Sequence, residues 1–164
     1  QIKIMELILQ APIQIKFHII CALYALIIGP VAIFRNRRDK LHRWLGDSWV
    51  VALALTALSS FFIFGSRIWG PFSLIHLLSV FSFFGLVRGV RLIRQGRRAE
   101  HAKQMQTLYF LALGIPGVFT LLPGRMLSHA LFPGYAVLGF ALAVAFLAVG
   151  IWVWRRFGPL PRAG

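Results

Sequence analysis

The chain has 164 residues, 59% of them hydrophobic, with a formal net charge of +14 and a single cysteine, Cys21. This length predicts one domain, the lone cysteine excludes an internal disulfide, and a mean hydropathy of +0.76 is typical of a membrane protein rather than a soluble enzyme. In a soluble protein such positive charge would suggest nucleic acid as the partner. In an apolar chain it instead orients the protein and contacts anionic lipid, so no nucleic acid is expected.

Five long apolar segments follow a short N-terminal stretch, residues 1–12, for which we predict an interfacial helix on the outer surface. Most of the segments reach the roughly 20 residues that a helix needs to cross about 30 Å of hydrocarbon. Backbone groups must be paired within the segment in lipid, so the segments are predicted to be helices. They are Ile13–Phe34, Trp44–Phe64, Pro71–Ile93, Leu108–Leu122, whose helical pattern starts near Arg98, and Gly134–Trp154.

The connections among the first four segments are short, which predicts that consecutive helices are antiparallel neighbours. We therefore expect an all-α, polytopic membrane protein. Residues 13–128 would form an up-down four-helix transmembrane bundle, and residues 129–164 a fifth transmembrane helix with a basic cytoplasmic tail. Gly139 and Ala143 form a small-xxx-small pair in the fifth helix. The pair predicts packing against the outside of the bundle or against a partner, as in a homo-oligomer or larger complex.

Three local signals refine the helices. Asp39 is a good N-cap for the second helix. Gly29-Pro30 lies inside the first helix and Pro116-Gly117 inside the fourth. Because proline lacks a backbone N–H and clashes with the preceding turn, both sites are predicted to depart from straight α-helix, with neighbouring helices bonding the freed carbonyls.

Positive charge is concentrated on alternate connections and divides the 18 basic residues 14 to 4. The positive-inside rule then predicts a multi-pass protein of the inner (plasma) membrane with its N-terminus outside and its C-terminus in the cytoplasm. The crowded side holds Arg35, Arg37, Arg38, Lys40, Arg43, Arg88, Arg91, Arg94, Arg97, Arg98, Lys103, Arg155, Arg156 and Arg162, and the other side Lys3, Lys16, Arg67 and Arg125.

Four of the histidines fall at two depths, and ionisable groups in membrane helices usually face the interior for a reason. His18 and His76 lie near the outer ends of the first and third segments. His42 and His101 lie near the cytoplasmic ends of the second and fourth, with the two levels roughly 20–25 Å apart by helix rise. Each pair occupies diagonal helices, so its imidazoles would face each other across the core.

Two facing imidazoles are what a haem iron needs, since it takes axial nitrogens from both sides of the ring. We therefore predict two b-type haems, one held by His18 and His76 and the other by His42 and His101, with room for a porphyrin edge beside Gly46.

Other interpretations of these residues stay open. Histidines near helix ends can lie in the headgroup layer, where His42 and His101 could bind lipid phosphate. His18, Cys21 and His76 could instead hold a metal ion. No pair of acids, phosphate-binding loop or nucleophile triad is present, so no catalytic residues are predicted.

Several motifs resemble a family of bacterial predicted membrane proteins catalogued as domain of unknown function 2306, over roughly residues 15–130. The resemblance implies a membrane fold but no settled activity. More distantly, histidines paired at two depths on four helices are similar to the diheme b-type transmembrane cytochromes. The motifs are His18 with Gly29-Pro30, Leu41-His42-Arg43-Trp44-Leu45-Gly46, Gly70-Pro71 with His76, and His101-Ala102-Lys103-Gln104-Met105 with Tyr109.

The sequence leads to a candidate b-type diheme cytochrome that transfers electrons across or within the membrane, with a quinone or another membrane redox protein as its partner. The alternative is a non-catalytic accessory subunit of a larger membrane complex. A transporter is a weaker interpretation, because the inverted repeat and midplane polar site of such folds are missing.

Overall fold

The structure, a computed structural model, describes residues 10–35, 38–63 and 74–157, and all its regular elements there are helices. The interfacial helix predicted over residues 1–12 lies almost entirely outside these residues. The elements are α1 (Ile13–Phe34), α2 (Lys40–Ser60), α3 (Leu74–Arg94), α4 (Arg98–Leu108), the π-helix π1 (Tyr109–Gly114), α5 (Ile115–Phe119), α6 (Met126–Leu131) and α7 (Ala136–Phe157).

Within the described residues, three helices are long and apolar enough to cross a membrane: Ile13–Phe34, His76–Arg94 and Ala136–Arg156. The other two predicted spans differ for separate reasons. α2 contains Asp47 and several hydroxyl residues, which dilute its hydropathy. The fourth segment is divided by π1 into pieces that are each too short. The prediction of five spans is therefore only partly supported by length and composition.

The first four helical stretches pack in a ring. α1 lies against α2, α2 against α3, and α3 against α4, while α4 and π1 return to α1. Large side chains fill the centre, with Trp49 and Leu53 only 1% exposed and Leu108 fully buried. Chain order around the ring leaves α1 opposite α3 and α2 opposite α4.

Asp39 caps α2, as predicted. Its carboxylate accepts from the backbone N–H of His42 at 2.9 Å and from the guanidinium of Arg35 at 2.7 Å. The hydrogen bond from Arg35, and after it the one from His42, holds the pKa of the Asp39 carboxyl at about 2, below the ordinary 3.8.

This cap predicts an acid-sensitive contribution to stability. A carboxyl whose pKa is lower in the folded state stabilises the fold above its unfolded pKa and loses that contribution as pH falls from about 4 through about 2. Asp39→Asn keeps a capping oxygen but does not titrate. Over that pH range, the thermal midpoint of the wild type should fall more than that of Asp39→Asn. Parallel curves for the two proteins would contradict the prediction.

Pro30 frees a carbonyl in α1, and a neighbouring helix satisfies it as predicted. The missing N–H of Pro30 leaves the oxygen of Leu26 without its helical partner. The Tyr109 hydroxyl donates to that oxygen at 3.2 Å. One residue earlier, the oxygen of Ala25 accepts from Trp49 Nε1 at 2.9 Å. α1 is assigned as helix through Pro30, so the kink there stays a prediction.

The departure from α-helix predicted at Pro116 is confirmed. The six residues of π1, Tyr109–Gly114, end just before Ile115 and Pro116, which occupy the first positions of α5. A π-helix is a local change of hydrogen-bond register and commonly marks a functional position. Here it begins at Tyr109, the residue that bonds α1.

α7 packs along the outside of the ring, against α5 and α6, and near its C-terminal end against α4 and π1. Trp154 Nε1 donates to Gln106 Oε1 at 3.0 Å, and its ring lies 5.1 Å from that of Phe110. Gly139, one of the predicted packing pair, instead contacts the ring of Phe132 in the preceding connection. The C-terminal end of α7 therefore lies beside the C-terminal half of α4.

Candidate functional site

The four predicted ligand histidines lie at two ends of the ring, as the sequence indicates. His18 in α1 and His76 in α3 lie at the end where α2 finishes. His42, the third residue of α2, and His101, the fourth of α4, lie at the opposite, basic end.

A hydrogen bond to a serine hydroxyl fixes the tautomer of His18. Its Nδ1 lies 3.0 Å from the hydroxyl of Ser59. That hydroxyl already donates its only hydrogen to the carbonyl of Thr56 at 3.0 Å, so Ser59 must accept from His18 Nδ1–H. In the neutral imidazole the lone pair then lies on Nε2, the nitrogen by which a histidine in this tautomer ligates iron.

His76 is 5% exposed and packs against the ring of Phe61, with centroids 5.5 Å apart. One turn later in α3, the Ser79 hydroxyl bonds that of Ser60. Ser60 also bonds the carbonyl of Ala57 at 2.7 Å. His18 and His76 thus both contact the C-terminal end of α2, at Ser59 and at Phe61 just after it. That their imidazoles face each other stays a prediction.

Buried hydroxyl groups surround this end of the ring, and the sequence analysis missed them. A serine or threonine hydroxyl between membrane helices is normally bonded to backbone or to a neighbouring side chain. Thr56, Ser59 and Ser60 are spaced i, i+3 and i+4, which places them on one face of α2. This spacing is the sequence signal that could have identified the polar face. The buried polar residues here are Thr56, Ser59, Ser60, His76, Ser79 and Ser82.

His101 is also held in one tautomer, by the backbone of α3. Its Nδ1 lies 2.8 Å from the oxygen of Gly89, which can only accept, so the lone pair again lies on Nε2. Gln104 Nε2 donates to the oxygen of Gly85 at 3.3 Å. A Cβ added at Gly89 would lie 1.8 Å from the methyl carbon of Met105. α4 therefore docks closely on α3 through a small-xxx-small pair, Gly85 and Gly89, which the sequence analysis also missed.

His42 precedes the apolar part of α2 and lies among charged groups. Its Nε2 is 3.1 Å from a guanidinium nitrogen of Arg38. Burial lowers the pKa of the His42 imidazole, and the positive charge of Arg38 lowers it further. His101 comes from the opposite helix of the ring and lies at the same basic end, where it bonds Gly89 near the end of α3.

The three-ligand metal site considered from the sequence is wrong. Within the described residues, which include His18, Cys21 and His76, no three histidine, cysteine or acidic side chains converge as a metal site would require. Cys21 is a buried free thiol. Bis-histidine ligation needs only two side chains, and the lone pairs on Nε2 of His18 and His101 fit that donor chemistry.

The chain matches the family described as "Predicted membrane protein (DUF2306)" over residues 15–154. This match confirms the resemblance and extends it beyond the predicted limit near residue 130, so that most of α7 belongs to the family region. No curated protein and no solved structure matches the chain.

Proposed function

The chain belongs to the DUF2306 family of predicted membrane proteins, and on that premise we propose that it is a b-type cytochrome that carries electrons within or across a bacterial inner membrane. That it is an integral membrane protein follows from the family and from three apolar helices. Large apolar side chains on the outside, such as Phe146 at 83% and Ile13 at 73% exposed, suit contact with lipid rather than water.

In the proposed arrangement, the ring of helices over residues 13–119 is an up-down transmembrane bundle and α7 is a fifth span. Support comes from the packing order of the helices and from the position of the basic residues. The end of α1, the start of α2, the end of α3 and the start of α4 share one end of the ring. The Trp154–Gln106 bond places the end of α7, with its two arginines, beside α4 in this half of the ring. We propose that this end is cytoplasmic and that the N-terminus is outside.

The observation that carries the haem proposal is the pair His42 and His101. They come from opposite helices and lie at the same end of the ring, and His101 keeps its Nε2 lone pair because Nδ1–H is bonded to Gly89. The proposal for the outer pair, His18 and His76, is supported by the Nδ1–H tautomer of His18 and by the burial of His76. We propose these four residues as axial ligands of two haems.

A bound haem supplies a one-electron iron couple. The protein's own residues orient the proposed ligands. The bonds from Nδ1–H of His18 to Ser59 and from Nδ1–H of His101 to Gly89 fix the orientation of each imidazole and make its Nε2 more basic. The buried side chains of Trp49, Leu53 and Leu108 fill the centre of the helix ring, between the two levels of histidine, and exclude water from it. The proposed electron partner is a quinone or another membrane redox protein.

The visible spectrum of the purified protein tests the proposal. Protein from a haem-replete host should show a Soret band and, on reduction with dithionite, the sharp α-band of low-spin b-type haem. The pyridine haemochromogen assay should approach two haems per chain. Protein that is folded and helical by circular dichroism but has no Soret band would overturn the cytochrome function.

A second candidate, an accessory subunit of a larger membrane complex, is favoured by α7. This helix packs on the ring along one side and leaves apolar side chains such as Val137 and Phe146 exposed at 70% and 83%. A folded protein without haem would leave this function as the better proposal.

A further inference from the structure

A shallow, open groove lies on one face of α7 at its C-terminal end, and its lining residues all belong to α7. It has a volume of about 490 Å³ and is lined by residues at helical spacing. The lining residues are Ala148, Ile151, Trp152, Arg155 and Arg156.

The lining changes from apolar to cationic along the helix. Ala148 and Ile151 come first, then Trp152, and the two arginines lie in the last turn. Tryptophan at such a boundary is typical of the membrane interface. In the orientation proposed above, the groove has an apolar end toward the bilayer interior and a cationic end at the surface. Only an amphiphilic molecule matches both ends.

Neither arginine of the groove is in an ion pair with an acidic side chain of the described residues. The whole sequence has 18 basic residues and 4 acidic ones. The ion pairs found among the described residues are Arg35–Asp39 and Arg97–Glu100. Arg155 and Arg156 are exposed and take part in neither. The negative end of the helix dipole attracts them only with a partial charge.

We propose that this groove binds one anionic phospholipid, with the phosphate at Arg155 and Arg156 and an acyl chain along Ala148 and Ile151. Arginine is suited to phosphate because its planar donors bind two oxygens at once. Basic pockets on the cytoplasmic side of membrane helices recognise anionic headgroups in this way. The site is independent of haem, because no proposed ligand lies on α7.

Native mass spectrometry of the full chain tests the site with phosphatidylglycerol and phosphatidylcholine of identical acyl chains. The wild type should retain phosphatidylglycerol in preference. Arg155→Gln/Arg156→Gln should weaken that retention on the order of tenfold, as expected for losing two cationic contacts. Arg91→Gln/Arg94→Gln is the matched control, since it removes two exposed arginines from the last turn of α3 with the same change of charge.

Each other outcome overturns the site. Equal loss in both double variants would mean a general effect of charge, and equal retention of the two lipids would remove the role of the phosphate group. Inorganic phosphate that displaces the lipid at equal concentration would mean a simple anion site without a place for the acyl chain.

Discussion

Gly29→Ala is expected to destabilise the protein by about 1–3 kcal/mol, because two aromatic rings occupy the space of the new methyl group. A Cβ at residue 29 would lie 2.5 Å from Tyr109 Cε2 and 2.9 Å from Trp49 Nε1. Neither ring can move away freely, since Tyr109 is bonded to the oxygen of Leu26 and Trp49 to that of Ala25. Displacing them would break bonds worth roughly 0.5–1.5 kcal/mol each.

Alanine also favours a helix over glycine by up to about 1 kcal/mol, and the expected net loss includes this gain. Gly46→Ala is the control, because no heavy atom lies within 4 Å of the Cβ it would add. This variant should be as stable as the wild type or slightly more so. The measurement is reversible unfolding in mixed micelles, and Gly29→Ala as stable as Gly46→Ala would contradict the close packing at Pro30.

His101→Gln is expected to abolish one of the two proposed haem centres while the fold survives. A glutamine amide can still donate to the oxygen of Gly89, the bond that docks α4 on α3. It has no imidazole nitrogen for an iron atom. Absorption of the reduced protein and the haem content per chain should therefore fall by about half, with the outer centre, far along the helix axis, unaffected.

The control for His101 is Gln104→Ala, which removes the neighbouring bond between α4 and Gly85 without touching a histidine. It should lower the thermal midpoint slightly and leave the spectrum unchanged. A spectrum that His101→Gln leaves intact, in a wild type that binds haem, would show that His101 acts only in helix packing. Loss of haem in Gln104→Ala would lead to the same conclusion.

Local sequence signals predicted many features correctly because their physical causes are local. Asp39 caps α2 because its carboxylate reaches an N–H three residues away. Pro30 frees the carbonyl of Leu26 in any helix that contains it. The apolar segments predict helices because lipid leaves the backbone no other partner. The depths of the histidines follow from counting along those helices.

The partners of these groups depend on residues far apart in the chain. Tyr109 satisfies Leu26 across a separation of 83 residues, and nothing around Pro30 indicates that helix. The tautomer of His18 depends on Ser59, 41 residues away. Gly85 and Gly89 can be identified as a helix-packing pair only from the tertiary structure, in which His101, Gln104 and Met105 lie against them.

The sequence by itself therefore predicted an all-helical membrane protein, the cap at Asp39 and the positions of the histidines near helix ends, since periodicity, proline chemistry and charge act over a few residues. Only the tertiary structure decided which side chains complete the backbone of each helix and which nitrogen of His18 and His101 keeps its lone pair. It also decided that α7 lies on α4, through the Trp154–Gln106 bond. The physical reason is that a hydrogen bond between helices depends on their separation and rotation, which packing sets and local sequence does not encode.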